Sequence, residues 1–342
     1  MTVTSNELKI FSGRSNVQLA QRITEYLEIP LGEISIRNFA DGELWVKYEE
    51  NIRGKDVFII QSTGPSINNS PNDNMIELMI FIDALKRGSA RSVNAVIPYY
   101  GYQRQDRKDY SRAPISARVM ATCLEALGVD RVIVFDLHAG QIQGFFSSVT
   151  PVDNLYVESY FIKYIKKNIL GVSIPLTDSL SISDLVIVSP DEGGMKRAVR
   201  VSNKLKCSAA TIYKDRSKPN EINKMVLMGN VSGKVAVIVD DIIDTAGTAC
   251  KAAEILHNNG ATEIYILTCH GVLSGPAVER ITNSHFKKVV ITNTLEASPE
   301  VVSNPKIDIL DVSWYCAEAM QRSIVGKSLK ELYDNPNTIC AV

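Results

Sequence analysis

The residues able to do chemistry gather in a few short stretches, and the densest is Val235-Ala-Val-Ile-Val-Asp240-Asp241-Ile-Ile-Asp244-Thr245-Ala246-Gly247-Thr248. An apolar run delivers three acids, and a small, hydroxyl-rich turn then opens an amphipathic stretch. In open α/β sheets ligands bind beyond the carboxyl ends of the strands, and free N–H groups at a helix N-terminus favour a phosphate. Thr245, Gly247 and Thr248, with Ala246 between them, suit such a cradle. Adjacent carboxylates beside an anion are awkward unless they accept hydrogen bonds from sugar hydroxyls or face a metal, so Asp240 and Asp241 imply a ribose phosphate. Asp244 could by itself be a helix cap, but a cap accounts for one acid and not three.

Asp136 and His138 stand two apart at the end of the apolar run Val132 to Phe135. In an extended chain both side chains leave one face and can address one ligand, such as a magnesium-nucleotide, although Mg2+ prefers oxygen ligands. A histidine hydrogen-bonded within a strand-end turn is the plainer alternative. The basic run Arg104 to Arg112, preceded by Tyr99, Tyr100 and Tyr102, suits either RNA or a solvated loop. Ile212-Tyr213-Lys214-Asp215-Arg216-Ser217-Lys218 has the character of a mobile charged loop. Phe39, in Asn38-Phe39-Ala40-Asp41-Gly42-Glu43, reads on its own as an ordinary core or turn aromatic.

These residues need a scaffold. Val- and Ile-rich runs at Val57–Ile60, Val93–Ile97, Val132–Phe135, Leu185–Val188, Val235–Val239 and Ile264–Leu267 predict buried parallel strands. Amphipathic patterns at Met75–Lys86, Ile115–Leu127, Met195–Leu205 and Thr248–Leu256 predict helices, several closed by a glycine at the C-cap: Gly88, Gly128 and Gly260. The class is therefore α/β with crossover helices. A faint internal repeat, Gly54-Lys55-Asp56-Val57 against Gly233-Lys234-Val235-Ala236, suggests two such domains with a boundary near Asn154. The Ser-, Pro- and Thr-bearing stretch Gly171 to Ser183 reads as an exposed loop.

Composition narrows the function classes. The 342 residues suffice for two cores, and 37 basic residues against 38 acidic ones leave a net charge of -1. That balance gives no global attraction to nucleic acid or to a membrane surface, so any anion site is local. The six cysteines are scattered, with no C-x-x-C pair, and read as reduced thiols. No uncharged apolar run approaches the roughly 20 residues of a membrane helix, and the first residues carry no basic-then-apolar signal. A cytoplasmic location is the expectation.

The stretch V-D-D-x-x-D-T-x-G-T is similar to the phosphoribosyl-binding fingerprint shared by type I phosphoribosyltransferases and phosphoribosyl pyrophosphate synthases. Arg104–Asp109 with Ser111–Ser116, Asp136–Phe146 and Ser189–Gly194 resemble segments of the class I synthases, and the resemblance runs from about Ile10 to Tyr333. It implies two tandem type I phosphoribosyltransferase-like domains, 1–154 on the ATP side and 155–315 on the ribose 5-phosphate side. A C-terminal segment, 316–342, would pack back on the first. The implied reaction is Mg2+-dependent transfer of the β,γ-diphosphate of ATP to the 1-hydroxyl of ribose 5-phosphate.

By the same resemblance Phe39, Asp41, Glu43, Arg104, Gln105, Asp106 and His138 bind ATP, with Phe39 stacking on the base in a neighbouring subunit's site. Asp240, Asp241, Asp244, Thr245, Ala246, Gly247 and Thr248 bind ribose 5-phosphate. Lys214, Arg216 and His138 act in catalysis, and Asp136, His138, Asp153 and Asp191 serve the metal. Arg53, Arg112 and Ser328 mark a regulatory site for phosphate or ADP. The family implies a homo-oligomer, typically hexameric, or a hetero-oligomer with sister subunits. Glu192 in place of a small residue, Ser147 in place of an acid and the long 171–183 loop depart from the pattern. They point to altered regulation or dependence on a sister subunit. The alternatives are a regulatory paralogue subunit of the same synthase, weakly active or inactive, and a phosphoribosyltransferase.

Overall fold

The computed structural model describes residues 7–172, 182–215 and 224–334; the Lys214 side chain, Arg216 and most of the 171–183 loop lie outside the described residues. In the first half, β1 (Leu8–Ser12), β4 (Asp56–Ile60), β5 (Ser92–Ile97), β6 (Arg131–Phe135) and β7 (Val152–Leu155) form a parallel sheet in the order β1-β4-β5-β6-β7. β2 (Ile34–Asn38) and β3 (Leu44–Tyr48) form a separate antiparallel hairpin. The second sheet takes β8 (Leu185–Ser189), β9 (Ser208–Asp215), β10 (Lys224–Met228), β11 (Val235–Ile243), β12 (Glu263–Gly271), β13 (Lys288–Thr292) and β14 (Ile307–Leu310). Its order is β10-β9-β8-β11-β12-β13-β14, and only the edge pair β10 and β9 is antiparallel. The α/β class with parallel sheets flanked by helices is thus observed, and all six runs read as strands are strands.

Strand alternation sorts the apolar residues into layers. Val57 and Ile59 pack under α2 (Pro71–Arg87) and α3 (Ser116–Ala126), with Phe81, Leu85 and Leu124. Phe58 and Ile60 face the other way, into a core shared by both halves. Leu185 and Ile187 enter that shared core from the second sheet, while Val186 and Val188 pack with α6 (Gly247–Asn258) and α7 (Ala277–Thr282). The middle layer consists of α1 (Val17–Leu27), α4 (Glu158–Tyr164), α5 (Met195–Leu205) and α9 (Ser313–Val325), with α9 against α1. Continuous Val/Ile runs follow from this arrangement, since both faces of each sheet are covered. Tyr160 and Tyr315, fully buried in the middle layer with ring centroids 5.7 Å apart, each contribute on the order of 2 kcal/mol of burial.

The internal repeat reappears as geometry. Gly54 and Gly233 both adopt left-handed φ, +70° and +72°. Gly54 N donates to Ser89 O (2.8 Å) as Gly233 N does to Gly260 O (2.9 Å), and the Lys55 and Lys234 carbonyls accept from Arg91 N and Thr262 N. One expected cap differs. Gly128 and Gly260 have positive φ, whereas Gly88 stays right-handed and Ser89 takes the left-handed turn. Gly88 is needed for close approach instead, because a Cβ there would lie 2.4 Å from Ile52 Cδ1.

Candidate active site

A cleft of about 1280 Å³ opens at the carboxyl ends of the strands, where the two halves meet. One wall is built from β11 and the turn into α6. β11 continues past the expected run Val235–Val239 and carries the acids on the strand itself, with Asp240 in register with Thr268 of β12. Alternation puts Asp241 on the face of Val237 and Val239, toward the first half, and Asp240 on the other face. Asp240, Asp241, Asp244, Thr245, Ala246, Gly247 and Thr248 all line the cleft. The N-cap of α6 is Ala246, in the left-handed region (φ 58°, ψ 1°), and no side chain caps the helix. Asp244 is therefore not a cap, and the first-turn N–H groups are left to an anion.

The facing wall comes from the first half. His138 Nδ1 lies 2.7 Å from Asp241 Oδ2, and its backbone N–H donates to Gln103 Oε1 (2.8 Å). Arg104 Nη1 donates to Asp244 Oδ2 (2.7 Å), spanning the cleft. The Asp241 hydrogen bond favours the protonated imidazole and raises the His138 pKa, against the opposing effect of burial. Burial opposes ionisation of Asp241 too, but His138 and the Arg197 guanidinium outweigh it and hold that carboxyl well below its usual range. Burial and the neighbouring Asp241 charge push Asp240 up. The two acids thus have unlike surroundings: Asp241 meets His138 and Arg197 directly, whereas Asp240 Oδ1 lies 3.8 Å from Arg197 and accepts from the Asp241 backbone N–H.

Sequence reading missed Arg197. It projects from α5, its Nη1 lies 3.2 Å from Asp241 Oδ1 and 3.8 Å from Asp240 Oδ1, and its side chain is 11% exposed. Burial works against its charge, but Asp136, Asp241 and Asp240 together keep the guanidinium ionised. The signal available was Lys196-Arg197 just after the Ser189–Gly194 segment, on a helix whose apolar face is Ala198, Val201 and Leu205.

The expected pairing of Asp136 with His138 on one face is not found. The strand ends at Phe135, and Asp136 takes φ +34°, which breaks the alternation. Asp136 is fully buried beneath the cleft, and burial raises its pKa to about 6, with Arg197 opposing. Of the other residues expected at a metal, Asp191 lines the cleft in the turn after β8, whereas Asp153 pairs with Arg131 (2.5 Å) on β7. Among the described residues no group of three or more His, Cys, Asp or Glu side chains is arranged to hold a metal.

Asp106 lines the cleft and accepts from Gln141 Nε2 (2.8 Å), while Gln105 turns away to Ser116. Phe39 (49% exposed), Asp41 and Glu43 sit at the tip of the β2–β3 hairpin and do not reach the cleft of their own chain. Tyr213, directly before Lys214 on β9, is a lining residue. Arg53 donates to Ser89 and Ser328 accepts from Lys330 N, while Arg112 is exposed with φ +65°; no hydrogen bond joins any two of these three.

Family models match both ends of the chain: the N-terminal domain of ribose phosphate pyrophosphokinase at residues 8–128 and the phosphoribosyl synthetase-associated domain at 212–334. Ribose-phosphate pyrophosphokinase A of Dictyostelium discoideum is 44% identical over 96% of this chain and 99% of its own. The chain belongs to the ribose-phosphate pyrophosphokinase family. It is therefore an enzyme, a transferase of nucleotide biosynthesis. A second family member, from Bacillus caldolyticus, is 46% identical over 98% of this chain and all of its own. The crystal structure of phosphoribosylpyrophosphate synthetase from Mycobacterium smegmatis superposes with a TM-score of 0.84 at 35% identity, covering 94% of this chain and 99% of that one. A stand-alone phosphoribosyltransferase would leave residues 8–128, matched by the first family model, without an explanation. Among the described residues no helix is long and apolar enough to cross a membrane.

Proposed function

We propose that this enzyme makes phosphoribosyl pyrophosphate by transferring the diphosphate of ATP to ribose 5-phosphate. The observation that carries this reading is one cleft with unlike walls, an acid-bearing strand running into an uncapped helix on one side and His138 with Arg104 on the other. The Gly247, Thr248 and Ala249 N–H groups take the 5-phosphate, and Asp240 and Asp241 accept hydrogen bonds from the ribose hydroxyls. The 1-hydroxyl oxygen attacks the β-phosphorus in line. A bond forms from that oxygen to phosphorus, the bond from phosphorus to the α,β-bridging oxygen breaks, and AMP leaves with the electron pair; the hydroxyl proton passes to solvent. No covalent enzyme intermediate is needed, and catalysis is by positioning and charge. Lys214 and Arg216 neutralise charge on the transferring group, and Arg104, Asp106 and His138 hold the nucleotide, with Phe39, Asp41 and Glu43 supplied to a neighbouring subunit's adenine.

The residues fit Mg2+ held jointly with substrate phosphates rather than in a protein cage. Asp191, Asp240 and Asp244 offer carboxylate oxygens at the cleft, and Asp244 Oδ1 has no hydrogen-bond partner. When bound, the ion neutralises phosphate charge. We assign residues 1–154 to the ATP-side domain, 155–315 to the ribose 5-phosphate side and 316–342 to a closing segment, and place the enzyme in the cytoplasm as an oligomer. Purified enzyme supplied with ATP and ribose 5-phosphate is expected to release AMP and phosphoribosyl pyrophosphate in equal amounts with Mg2+ and none after chelation. No AMP at any phosphate concentration would favour a regulatory, inactive subunit.

A further inference from the structure

We propose that Arg280, on α7, is a positioning residue that holds the phosphate-binding loop in its anion-accepting conformation. The inference rests on the reading of residues 245–248 as the cradle for the 5-phosphate of ribose 5-phosphate.

Arg280 Nη1 donates to the Thr245 carbonyl at 2.8 Å. A Cβ built on Gly247 would stand 3.4 Å from the same nitrogen, so the guanidinium lies against the turn. It lies behind it, since Thr245 to Ala249 line the cleft and Arg280 does not. Among the described residues the Thr245 carbonyl accepts the one side-chain hydrogen bond that Arg280 makes.

The peptide plane turns this contact into a functional one. The 245–246 peptide is trans, as are all those among the described residues, and in a trans peptide the carbonyl and the following N–H point in opposite directions. Tying the Thr245 carbonyl to Arg280 at the back therefore aims the Ala246 N–H toward the cleft. It does so against a conformational cost, because Ala246 sits at φ 58°, in the left-handed region that a residue with a Cβ adopts only under strain. A flip of the 245–246 peptide would return Ala246 to negative φ and turn the carbonyl oxygen onto the phosphate. Arg280 opposes that flip by holding the carbonyl. Its role is thus to keep a ring of N–H donors facing one anion, while ATP, on the opposite wall, is untouched.

The test is steady-state kinetics on the intact enzyme with Arg280→Met and Arg280→Lys, paired with calorimetric titration by ribose 5-phosphate alone. Arg280→Met is expected to raise the KM and Kd for ribose 5-phosphate about tenfold while the KM for ATP moves less than threefold. Arg280→Lys, which keeps a donor for the carbonyl, should recover most of the loss. Adding Ala246→Gly to Arg280→Met should recover part of it, because glycine holds left-handed φ without strain. An unchanged ribose 5-phosphate constant in Arg280→Met overturns the inference, as does a parallel rise for both substrates or a melting temperature that collapses in both Arg280 variants. Absence of turnover in the unaltered enzyme would count against the proposed reaction instead, and the titration would still read the loop.

Discussion

Asp241 stays ionised although it is nearly out of water, because His138 and Arg197 meet its two oxygens from different halves of the chain. A lone carboxylate at that depth would be expected to protonate. The acids of this stretch were recognisable as chemistry from their types and spacing. The partners that hold Asp241 ionised were not, since they are an arginine more than 40 residues away and a histidine more than 100 away. Lys214 follows a cleft-lining tyrosine at the end of β9. Replacing it with alanine should lower kcat by roughly a hundredfold or more and leave both KM values within about threefold, because a cation that meets charge developing in the transition state contributes little to ground-state binding. Near-normal turnover would remove Lys214 from the mechanism.

At the scale of elements, the β2–β3 hairpin stands apart from both sheets. Its tip is closed by Phe39 N to Glu43 O (2.7 Å) and by Gly42 at φ +96°. Arg14 ties it down, with Nη1 donating to Asn38 Oδ1 (2.8 Å) and Nε to the buried Glu77 (2.6 Å). An exposed apolar ring, that of Phe39, on a fixed arm suits a partner surface better than a core. Phe39→Ala should raise the KM for ATP about tenfold, a stacking loss, with the ribose 5-phosphate KM and the melting temperature unchanged. A fall in melting temperature instead would make Phe39 a packing residue. The hairpin was invisible to hydrophobic periodicity because Ile34–Asn38 and Leu44–Tyr48 are half-exposed and mixed in character. The buried strands and the helices α2, α3, α5 and α6 were readable for the opposite reason, being covered on both faces or on one continuous stripe. The middle-layer helices α1, α4 and α9 were not read from the sequence, although α1 buries one stripe, Leu19, Ala20 and Ile23, much as α5 does.

Across the whole molecule, the seam between the halves carries a buried histidine. His270, on β12, sets Nε2 3.1 Å from Phe135 O and Nδ1 2.9 Å from Thr294 Oγ1, with its ring 5.0 Å from Tyr99. Ser62 Oγ donates to Thr294 O and Asn16 Nδ2 to Asn293 O across the same seam. Burial lowers the His270 pKa to about 4, so the ring is neutral in the folded protein at pH 7. Because the folded pKa is depressed, its contribution is fully present above the unfolded value near 6.5. As the pH falls toward 4 the unfolded chain takes up a proton that the folded one refuses, and on the order of 3 kcal/mol is lost. Urea denaturation at pH 7 and pH 4.5 should show a drop that His270→Asn, less stable at pH 7, largely lacks. Equal drops in both proteins would place the acid sensitivity elsewhere.

The seam also marks where reading the sequence stops. Local pattern determined the α/β class, six of the strands, the phosphate turn and the acids beside it, because each depends on burial periodicity or on neighbours within a few residues. Tertiary structure alone decided that Asp136 is buried while His138 is not, that Arg197 bridges Asp240 and Asp241, and that Arg280 stands behind the turn. Those facts arise from the packing of two sheets through one helical layer, which brings side chains from distant parts of the chain within hydrogen-bond reach.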